Sequence, residues 1–138
     1  MRYEKSCGAV VFTIVNNEIK YLLIRNKHGI YGFPKGHVEN NETEIETALR
    51  EVKEEVGLDV TLLADFRTTD EHLIPQKENV MKQIIYFLGE YYNQDFTYQK
   101  EELSGALLVN YEEALSLFQY ESSKRILKEA DEFLKGLI

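Results

Sequence analysis

The sequence predicts a mixed α/β (α+β) domain, on three observations. Two β-rich apolar runs near the start, "CGAVVFTIV" and "IKYLLIRNK", flank the turn-like stretch "NNE" and predict a hairpin. Apolar residues recur at helical spacing between positions 41 and 56. Two further amphipathic stretches close the chain. We expect one domain over residues 1–138, because this length is sufficient for one sizeable core.

The remaining elements follow in chain order. The loop "HGIYGFPKGH" contains three glycines and a proline and predicts irregular structure, with a short strand at 31–33. "LDVTLLADFRTT" and "VMKQIIYFLGEYY" predict strands joined by the polar loop "DEHLIPQKEN", and "ALLVN" predicts one more strand. "YEEALSLF" predicts a helix. A longer final helix has a core-facing stripe formed by Ile126, Leu127, Ala130, Phe133, Leu134 and Leu137. The predicted order is β-β-(β)-α-β-β-β-α-α.

The helix predicted over 41–56 has a start signal and a stop signal. Asn41 is a suitable N-cap, and Glu44 three residues later completes a capping box. Gly57 predicts the C-terminal end. The apolar stripe predicted to face the core consists of Ile45, Ala48, Leu49, Val52 and Val56.

Composition limits the class of protein. No apolar run approaches the ~20 residues that cross a bilayer, so we expect no membrane partner. The start "MRYEKSCGAVVF" contains no readable secretory signal. The single cysteine, Cys7, opens an apolar run and is interpreted as a core residue in a reducing compartment. These features together predict a cytoplasmic location.

The formal net charge of −8 limits the partners. A protein that binds nucleic-acid backbones usually presents a basic face, so we expect no stable nucleic-acid partner. If the substrate is a small phosphate compound, a divalent cation is expected to bridge the acidic protein and the anion.

Three glutamates of the predicted helix form an acidic cluster. Glu51, Glu54 and Glu55 are related by three- and four-residue spacings, and Glu44 lies seven residues before Glu51. Such like charges destabilise an isolated helix unless something offsets them. Mg²⁺, which binds through carboxylates and substrate phosphates, is one candidate. From the residues alone, a metal site and a merely solvated face off the apolar stripe both remain open.

The stretch 36–58 resembles the signature of the Nudix hydrolases, G-x5-E-x7-R-E-U-x-E-E-x-G-U, where U is aliphatic. The matching residues are Gly36, Glu42, Arg50, Glu51, Val52, Glu54, Glu55, Gly57 and Leu58. This resemblance implies an α/β/α sandwich with a mixed sheet. It also implies hydrolysis of a nucleoside diphosphate linked to another moiety, with Mg²⁺ or Mn²⁺ as cofactor.

The same resemblance implies roles for individual residues. Glu51, Glu54 and Glu55 would ligate the metal, with the backbone carbonyl of Gly36. Arg50 would pair with the signature glutamate Glu42 and orient the cluster. The general base varies within the family, so Glu55, Glu51 and a glutamate from a distant loop such as Glu102 all remain candidates.

Residues outside the signature are similar to the asymmetrical bis(5′-nucleosyl)-tetraphosphatases, from about Ser6 to Ala114. The similar segments are "SCGAVVF", "YGFPKGHVE", "ETALREVKEEVG" and "KQIIYFLGE". The resemblance implies that Lys35 and Lys82 contact a polyphosphate and that Glu102 assists at the metals. It further implies cleavage of diadenosine tetraphosphate (Ap4A) to ATP and AMP.

Three positions depart from that family's pattern. Tyr31 stands where a tryptophan is usual, residues 40–42 replace "PGE", and Ala106 stands where an aromatic residue often stacks on a base. Tyr31, Tyr86 and Phe33 are candidate substitutes for the base platform, although Tyr86 can equally be a core residue. His37, next to Gly36, is a further candidate for phosphate contact.

Other functions remain open at this stage. The substrate can instead be the triphosphorylated 5′ end of RNA or a free (d)NTP. A non-catalytic Nudix domain that binds a nucleotide and regulates a partner would be expected to lose signature glutamates, and none is lost here. Monomer and homodimer are both compatible with the sequence.

Overall fold

The computed structural model describes residues 1–137 as eight strands and three helices. The strands are β1 (Arg2–Val15), β2 (Glu18–Asn26), β3 (Tyr31–Gly32), β4 (Lys35–His37), β5 (Thr61–Leu62), β6 (Thr68–Leu73), β7 (Val80–Glu90) and β8 (Leu103–Val109). The helices are α1 (Glu44–Val56), α2 (Tyr111–Leu117) and α3 (Glu121–Gly136). None of the described helices is long and apolar enough to cross a membrane.

The strands form a mixed sheet around the long strand β1. The main order is β3-β2-β1-β7-β5, with β4 paired to β1, β6 to β7 and β8 to β2. β1 runs parallel to β7 and antiparallel to β2. The predicted β1–β2 hairpin is confirmed, and Asn16 and Asn17 adopt the positive φ angles of 52° and 65° in its turn. Asparagine tolerates this conformation better than most residues.

Helices cover both faces of the sheet. Side chains alternate along β1, so Val10 and Phe12 contribute to one core, which also includes residues of α2 and α3. Ala9 and Val11 point to the other face, where they join a cluster with Val52 of α1. Burying each side chain of this size contributes roughly 1.5–3 kcal/mol. The predicted α/β/α sandwich with a mixed sheet is confirmed.

The N-terminus of α1 differs from the prediction. Thr43, not Asn41, is the N-cap, and its hydroxyl accepts a hydrogen bond from the backbone N–H of Glu46 at 3.1 Å. The Glu46 carboxylate accepts one in return from the Thr43 N–H at 2.8 Å. The predicted box of Asn41 and Glu44 is wrong because the chain turns at Asn40, with φ of 51°, before the helix begins.

The C-terminus of α1 is as predicted. Gly57 adopts a left-handed φ of 73°, and its N–H donates to the carbonyl of Lys53 at 3.0 Å. Glycine adopts this conformation without the steric cost that a Cβ would bring.

The buried face of α1 also differs from the predicted stripe. Ile45 and Leu49 are exposed, whereas Thr47 and Glu55 are buried beside the expected apolar residues. The spacing of the apolar residues did not reveal that this face includes Thr47 and Glu55, because both polar side chains obtain hydrogen-bond partners from outside the helix. Thr47 donates to Glu42 at 2.9 Å, and Glu55 accepts from the Lys35 backbone at 3.1 Å.

Several strand and helix positions were misjudged for physical reasons. β6 extends into the predicted loop, since its second half is exposed and contains a single apolar residue, Leu73, which gives no alternating pattern. The predicted strand over 58–69 is reduced to the two-residue β5, and the three-residue β4 was missed. Leu137 was predicted to belong to the core-facing stripe of the last helix. It is instead exposed, at the C-cap of α3. Cys7 is fully buried, as predicted.

We expect Thr43→Ala to lower the free energy of unfolding by about 1 kcal/mol, because it removes the hydroxyl that caps α1. Asn41→Ala is the matched control and should change it by less than about 0.5 kcal/mol. Urea unfolding of both variants measures the difference. A larger loss in the Asn41 variant would contradict the assignment of Thr43 as the cap.

Candidate active site

Strand β4 joins the acidic helix to the sheet. The β4 backbone N–H of Lys35 donates to Oε2 of Glu55 at 3.1 Å. At the next residue, a Cβ on Gly36 would lie 2.1 Å from Cδ of Glu51. Only glycine therefore lets the Glu51 carboxylate lie against β4. The Gly36 of the signature is explained by this close approach.

The guanidinium of Arg50 donates hydrogen bonds to the carboxylates of three glutamates. Its Nε and Nη2 donate to Glu42 at 2.6 and 2.9 Å, while Nη1 donates to Glu51 at 2.7 Å and to Glu54 at 3.0 Å. Nη2 also donates to the His37 carbonyl at 3.0 Å. The paired guanidinium lowers the pKa of Glu42 to about 2. The Glu42–Arg50 pair expected from the family resemblance is therefore formed.

Glu44 does not belong to the cluster, contrary to the sequence-based expectation. Its carboxylate accepts hydrogen bonds from Nε and Nη2 of Arg67 at 2.9 and 3.0 Å and also pairs with Lys5. The Arg67 hydrogen bonds hold the pKa of Glu44 at about 2. Glu44 thus connects α1 to β1 and to the segment before β6.

Glu55 is the most buried carboxylate of the cluster, with 4% of its surface exposed. Burial raises its pKa to about 8, which the Lys35 N–H opposes and the nearby charge of Glu51 reinforces. Burial also raises the pKa of Glu51, although Arg50 opposes that shift. The expectation that the whole cluster lies off the core is wrong for Glu55.

Glu102 reaches the same region from a distant part of the chain. The Gln99 N–H donates to the Glu55 carbonyl at 2.9 Å, and the Leu103 N–H donates to the Gln99 carbonyl, also at 2.9 Å. This connection attaches the segment before β8 to the end of α1. Glu102 lines the main cavity with Glu55, whereas its neighbour Glu101 does not.

The main cavity has a volume of about 860 Å³, and its lining combines both signs of charge. Lys35 and Lys82 lie in it beside the carboxylates of Glu55 and Glu102. Burial lowers the pKa of Lys82, and the adjacent Lys35 lowers it further. A bound anion would relieve this repulsion between two cations.

The aromatic candidates separate into two groups. Tyr31 is partly exposed and lines the cavity. Phe33 and Tyr86 are buried and contact each other edge-on, with ring centroids 5.6 Å apart and planes at 71°. Both Phe33 and Tyr86 line the cavity, but their burial leaves less ring surface for a base than Tyr31 offers.

His37 lies away from the cavity. It is exposed, it is absent from the cavity lining, and its carbonyl is bound by Arg50. This placement gives no support for contact between His37 and a phosphate bound beside the two lysines.

Three cavity residues were missed by sequence reasoning. Tyr120 is an exposed aromatic residue at the N-cap of α3, where neither helix pattern gives it a role. Asp70 and His72 lie on β6, in a stretch predicted to be a loop. A prediction of β6 as an edge strand would have placed both on its cavity face.

The carboxylates fit a hard divalent cation in their chemistry. Mg²⁺ prefers oxygen ligands, and Glu55 is a buried carboxylate with a single backbone hydrogen bond. Within residues 1–137, no group of three or more Asp, Glu, His or Cys side chains is arranged to hold a metal. In this arrangement Arg50 donates hydrogen bonds to Glu51 and Glu54. A cation at this cluster would have to compete with Arg50 for those oxygens.

Comparison with known proteins agrees with this geometry. The NUDIX domain model matches residues 6–130. The chain belongs to the Nudix family. Nudix hydrolases generally use divalent metals such as Mg²⁺, and this chain is a Nudix pyrophosphohydrolase.

Individual relatives are similar over nearly their whole length. The asymmetrical bis(5′-nucleosyl)-tetraphosphatase of Mus musculus is 34% identical over 94% of this chain and 95% of its own. The Sus scrofa enzyme of the same name is 32% identical with the same coverage. The crystal structure of a C. elegans Ap4A hydrolase binary complex has a TM-score of 0.88 at 26% identity, covering 96% of this chain and 98% of that one.

We expect Glu55→Gln to stabilise the metal-free protein in a pH-dependent manner. The folded-state pKa of about 8 exceeds the ordinary value of 4.5, so the folded state retains a proton that the unfolded state has lost. Wild-type stability should therefore fall as the pH rises from about 4.5 to about 8. The isosteric Gln variant lacks this decline and should gain on the order of 3–5 kcal/mol over wild type by pH 8.

Thermal unfolding with EDTA from pH 4.5 to 8.5 measures this difference. Glu101→Gln, at an exposed residue outside the cavity, is the control and should follow the wild-type curve. Parallel curves for wild type and Glu55→Gln would show that Glu55 titrates in its ordinary range.

Proposed function

We propose that the chain hydrolyses a dinucleoside polyphosphate in the presence of Mg²⁺ or Mn²⁺, with Ap4A yielding ATP and AMP. The observation that carries the proposal is a single cavity lined by the paired Lys35 and Lys82 and by Glu55 and Glu102. Such a site can bind a polyphosphate with the lysines while carboxylates lie beside the scissile linkage. Near-full-length similarity to asymmetrical bis(5′-nucleosyl)-tetraphosphatases supports this choice of substrate.

The residues divide into a metal group and a phosphate group. Glu51, Glu54 and Glu55, with the Gly36 carbonyl and Glu102, would hold the cation. Bound Mg²⁺ supplies charge neutralisation for phosphate oxygens and a lowered pKa for water. Arg50 acts as a positioning residue, since it contacts the glutamates and not the cavity.

The proposed reaction is attack by water on the phosphorus that leaves with AMP. The new bond joins the water oxygen to that phosphorus, and the bond to the bridging oxygen of the ATP portion breaks. A glutamate accepts the proton of the water, a role that typically contributes 10²–10⁴-fold. Glu55 is one candidate base, because its carboxylate lines the cavity beside the proposed polyphosphate site. Glu51 and Glu102 remain the alternatives.

The dimensions of the cavity agree with a nucleotide. Its volume of about 860 Å³ falls in the range of small-molecule sites, roughly 300–1,000 Å³. Tyr31, which is half-buried, and Tyr120, which is exposed, both line the cavity and offer aromatic surfaces for a base. One nucleoside and the polyphosphate can thus share the site.

The direct test is product analysis. Ap4A, ATP, dGTP and RNA with a 5′-triphosphate are offered separately with Mg²⁺, and products are separated by anion exchange. We expect ATP and AMP from Ap4A, at a kcat/KM well above that of the other substrates. Release of phosphate or pyrophosphate from RNA or an NTP, with Ap4A intact, would overturn the substrate assignment.

Adjacent glutamates provide a matched control for the catalytic assignment in the same assay. Glu102→Gln should lower kcat at least tenfold because its carboxylate lines the cavity, while Glu101→Gln should retain wild-type turnover. Glu54→Gln should also lower kcat by orders of magnitude, and retained turnover in that variant would contradict the metal assignment.

We expect Lys35→Ala to raise the KM for Ap4A roughly 10- to 100-fold, with a smaller effect on kcat, because a charged hydrogen bond to phosphate is lost. Steady-state kinetics of this variant and of Lys27→Ala measure the effect. Lys27 is exposed and outside the cavity lining, so its loss should be neutral. If Lys35→Ala changes neither constant, Lys35 does not bind the polyphosphate.

A further inference from the structure

The cavity contains a carboxylate that the reaction described above does not use. Asp70 of β6 is paired in register with Ile84 of β7, and His72 with Lys82. Directly paired residues of an antiparallel ladder project to the same face. Since Ile84 and Lys82 line the cavity, Asp70 projects toward it as well, and it belongs to the lining.

Asp70 has no hydrogen-bond donor of its own. Its side chain is only 16% exposed, yet no side-chain hydrogen bond to it is formed from any residue in the 1–137 range. Among the described residues, His72 is the one basic side chain within 4.0 Å, and its Nδ1 lies at that distance from Oδ2, beyond hydrogen-bond distance. The His72 ring is 52% exposed, so it does not enclose the carboxylate.

A second polar group nearby is also without a partner. Tyr86 is 5% exposed and lines the cavity, and its hydroxyl forms no hydrogen bond within the described chain. Burial, followed by the charges of Asp70 and Glu55, raises the pKa of Tyr86. The hydroxyl therefore lies within the field of both carboxylates. Neither the hydroxyl nor the Asp70 carboxylate is sealed inside the protein, since among the described residues the buried polar side-chain atom without a partner is Ser6 Oγ. The hydroxyl and the carboxylate therefore face the cavity, where water or a bound ligand can supply their hydrogen-bond partners.

The Asp70 carboxylate disfavours a phosphate next to it and favours hydroxyl groups there. A carboxylate repels phosphate oxygens, whereas its two oxygens can accept hydrogen bonds from two neighbouring hydroxyls. Asp70 is paired with Ile84, two residues from Lys82 on β7, so Asp70 and Lys82 are diagonal neighbours roughly 7–8 Å apart. In a nucleotide the ribose is bonded directly to the phosphate through C5′, and the polar edge of the base lies farther away. A phosphate at Lys82 would thus bring the ribose, before the base, to Asp70.

We propose that Asp70 accepts hydrogen bonds from the 2′- and 3′-hydroxyls of the bound nucleotide and makes this chain selective for ribonucleotides over deoxyribonucleotides. This inference rests on the proposed function, because it places the phosphate at Lys82. Asp70 is a specificity residue for the substrate, and the Tyr86 hydroxyl completes the polar wall around the sugar.

The test combines protein variants with substrate variants. Hydrolysis of Ap4A is compared with that of its analogue built from 2′,3′-dideoxyadenosine, in wild type, Asp70→Ala, Asp70→Asn and Glu71→Gln. Glu71 is the matched control: it is the next acidic residue on β6 and also lines the cavity, but its carboxylate already accepts a hydrogen bond from Gln83 at 3.2 Å. Thermal unfolding confirms that each variant is folded.

We expect wild type to show a KM for the dideoxy analogue roughly 10- to 100-fold above that for Ap4A. Asp70→Ala should raise the KM for Ap4A to that same level and leave the KM for the analogue unchanged. Asp70→Asn, which keeps an acceptor without the charge, should be intermediate. Glu71→Gln should retain wild-type discrimination. Equal KM values for both substrates in wild type, or equal effects of Asp70→Ala on both, would overturn the inference.

A binding experiment separates failure of this inference from failure of the proposed function. Calorimetry with Mg²⁺ compares AMP with 2′,3′-dideoxy-AMP on the same four proteins. If Ap4A is not cleaved but AMP binding depends on both Asp70 and the hydroxyls, the ribose site stands and the proposed substrate is wrong. If Ap4A is cleaved but AMP binding depends on neither Asp70 nor the hydroxyls, the proposed function stands and the ribose site is wrong. If AMP does not bind and Ap4A is not cleaved, both are overturned.

Discussion

The contact between β4 and α1 is the constraint on which the site depends. The buried Glu55 carboxylate accepts the N–H of Lys35, and the absence of a side chain at Gly36 admits the carboxylate of Glu51. Burying a carboxylate is costly, and here a single backbone hydrogen bond offsets only part of that cost, because the pKa of Glu55 is still raised. Lys35, whose backbone donates this bond, also lines the cavity. One contact therefore brings acidic and cationic groups together.

Arg50 determines how the remaining negative charge is distributed. It binds Glu42 through two nitrogens, whereas Glu51 and Glu54 share a third. The two-nitrogen geometry is the stronger and more specific interaction. A cation that recruits Glu51 or Glu54 therefore competes with the weaker, shared contact and can leave the Glu42 pair intact. The arginine thus offsets repulsion within the cluster and remains anchored when individual glutamates change partners.

The sequence correctly predicted the features that depend on residues close together in the chain. The β1–β2 hairpin, the left-handed Gly57 and the glutamate spacing on α1 follow from turn chemistry and helix geometry. Long-range partners decided the rest. The burial of Glu55 depends on the Lys35 backbone, twenty residues away in sequence, and no helical period contains that information. Likewise β6 is a strand because β7 pairs with it, although most of its own residues are polar.

Net charge and local charge act over different distances at this site. The value of −8 describes the field far from the protein, but exposed charges more than about 8 Å apart are largely screened at physiological ionic strength. Within the cavity, Lys35 and Lys82 are adjacent and partly buried, so their interaction with an anion is screened much less. An acidic chain can therefore disfavour an extended polyanion across its surface and still bind a compact polyphosphate in one place. Selectivity among nucleotides then depends on which groups lie within a few ångströms of those two lysines.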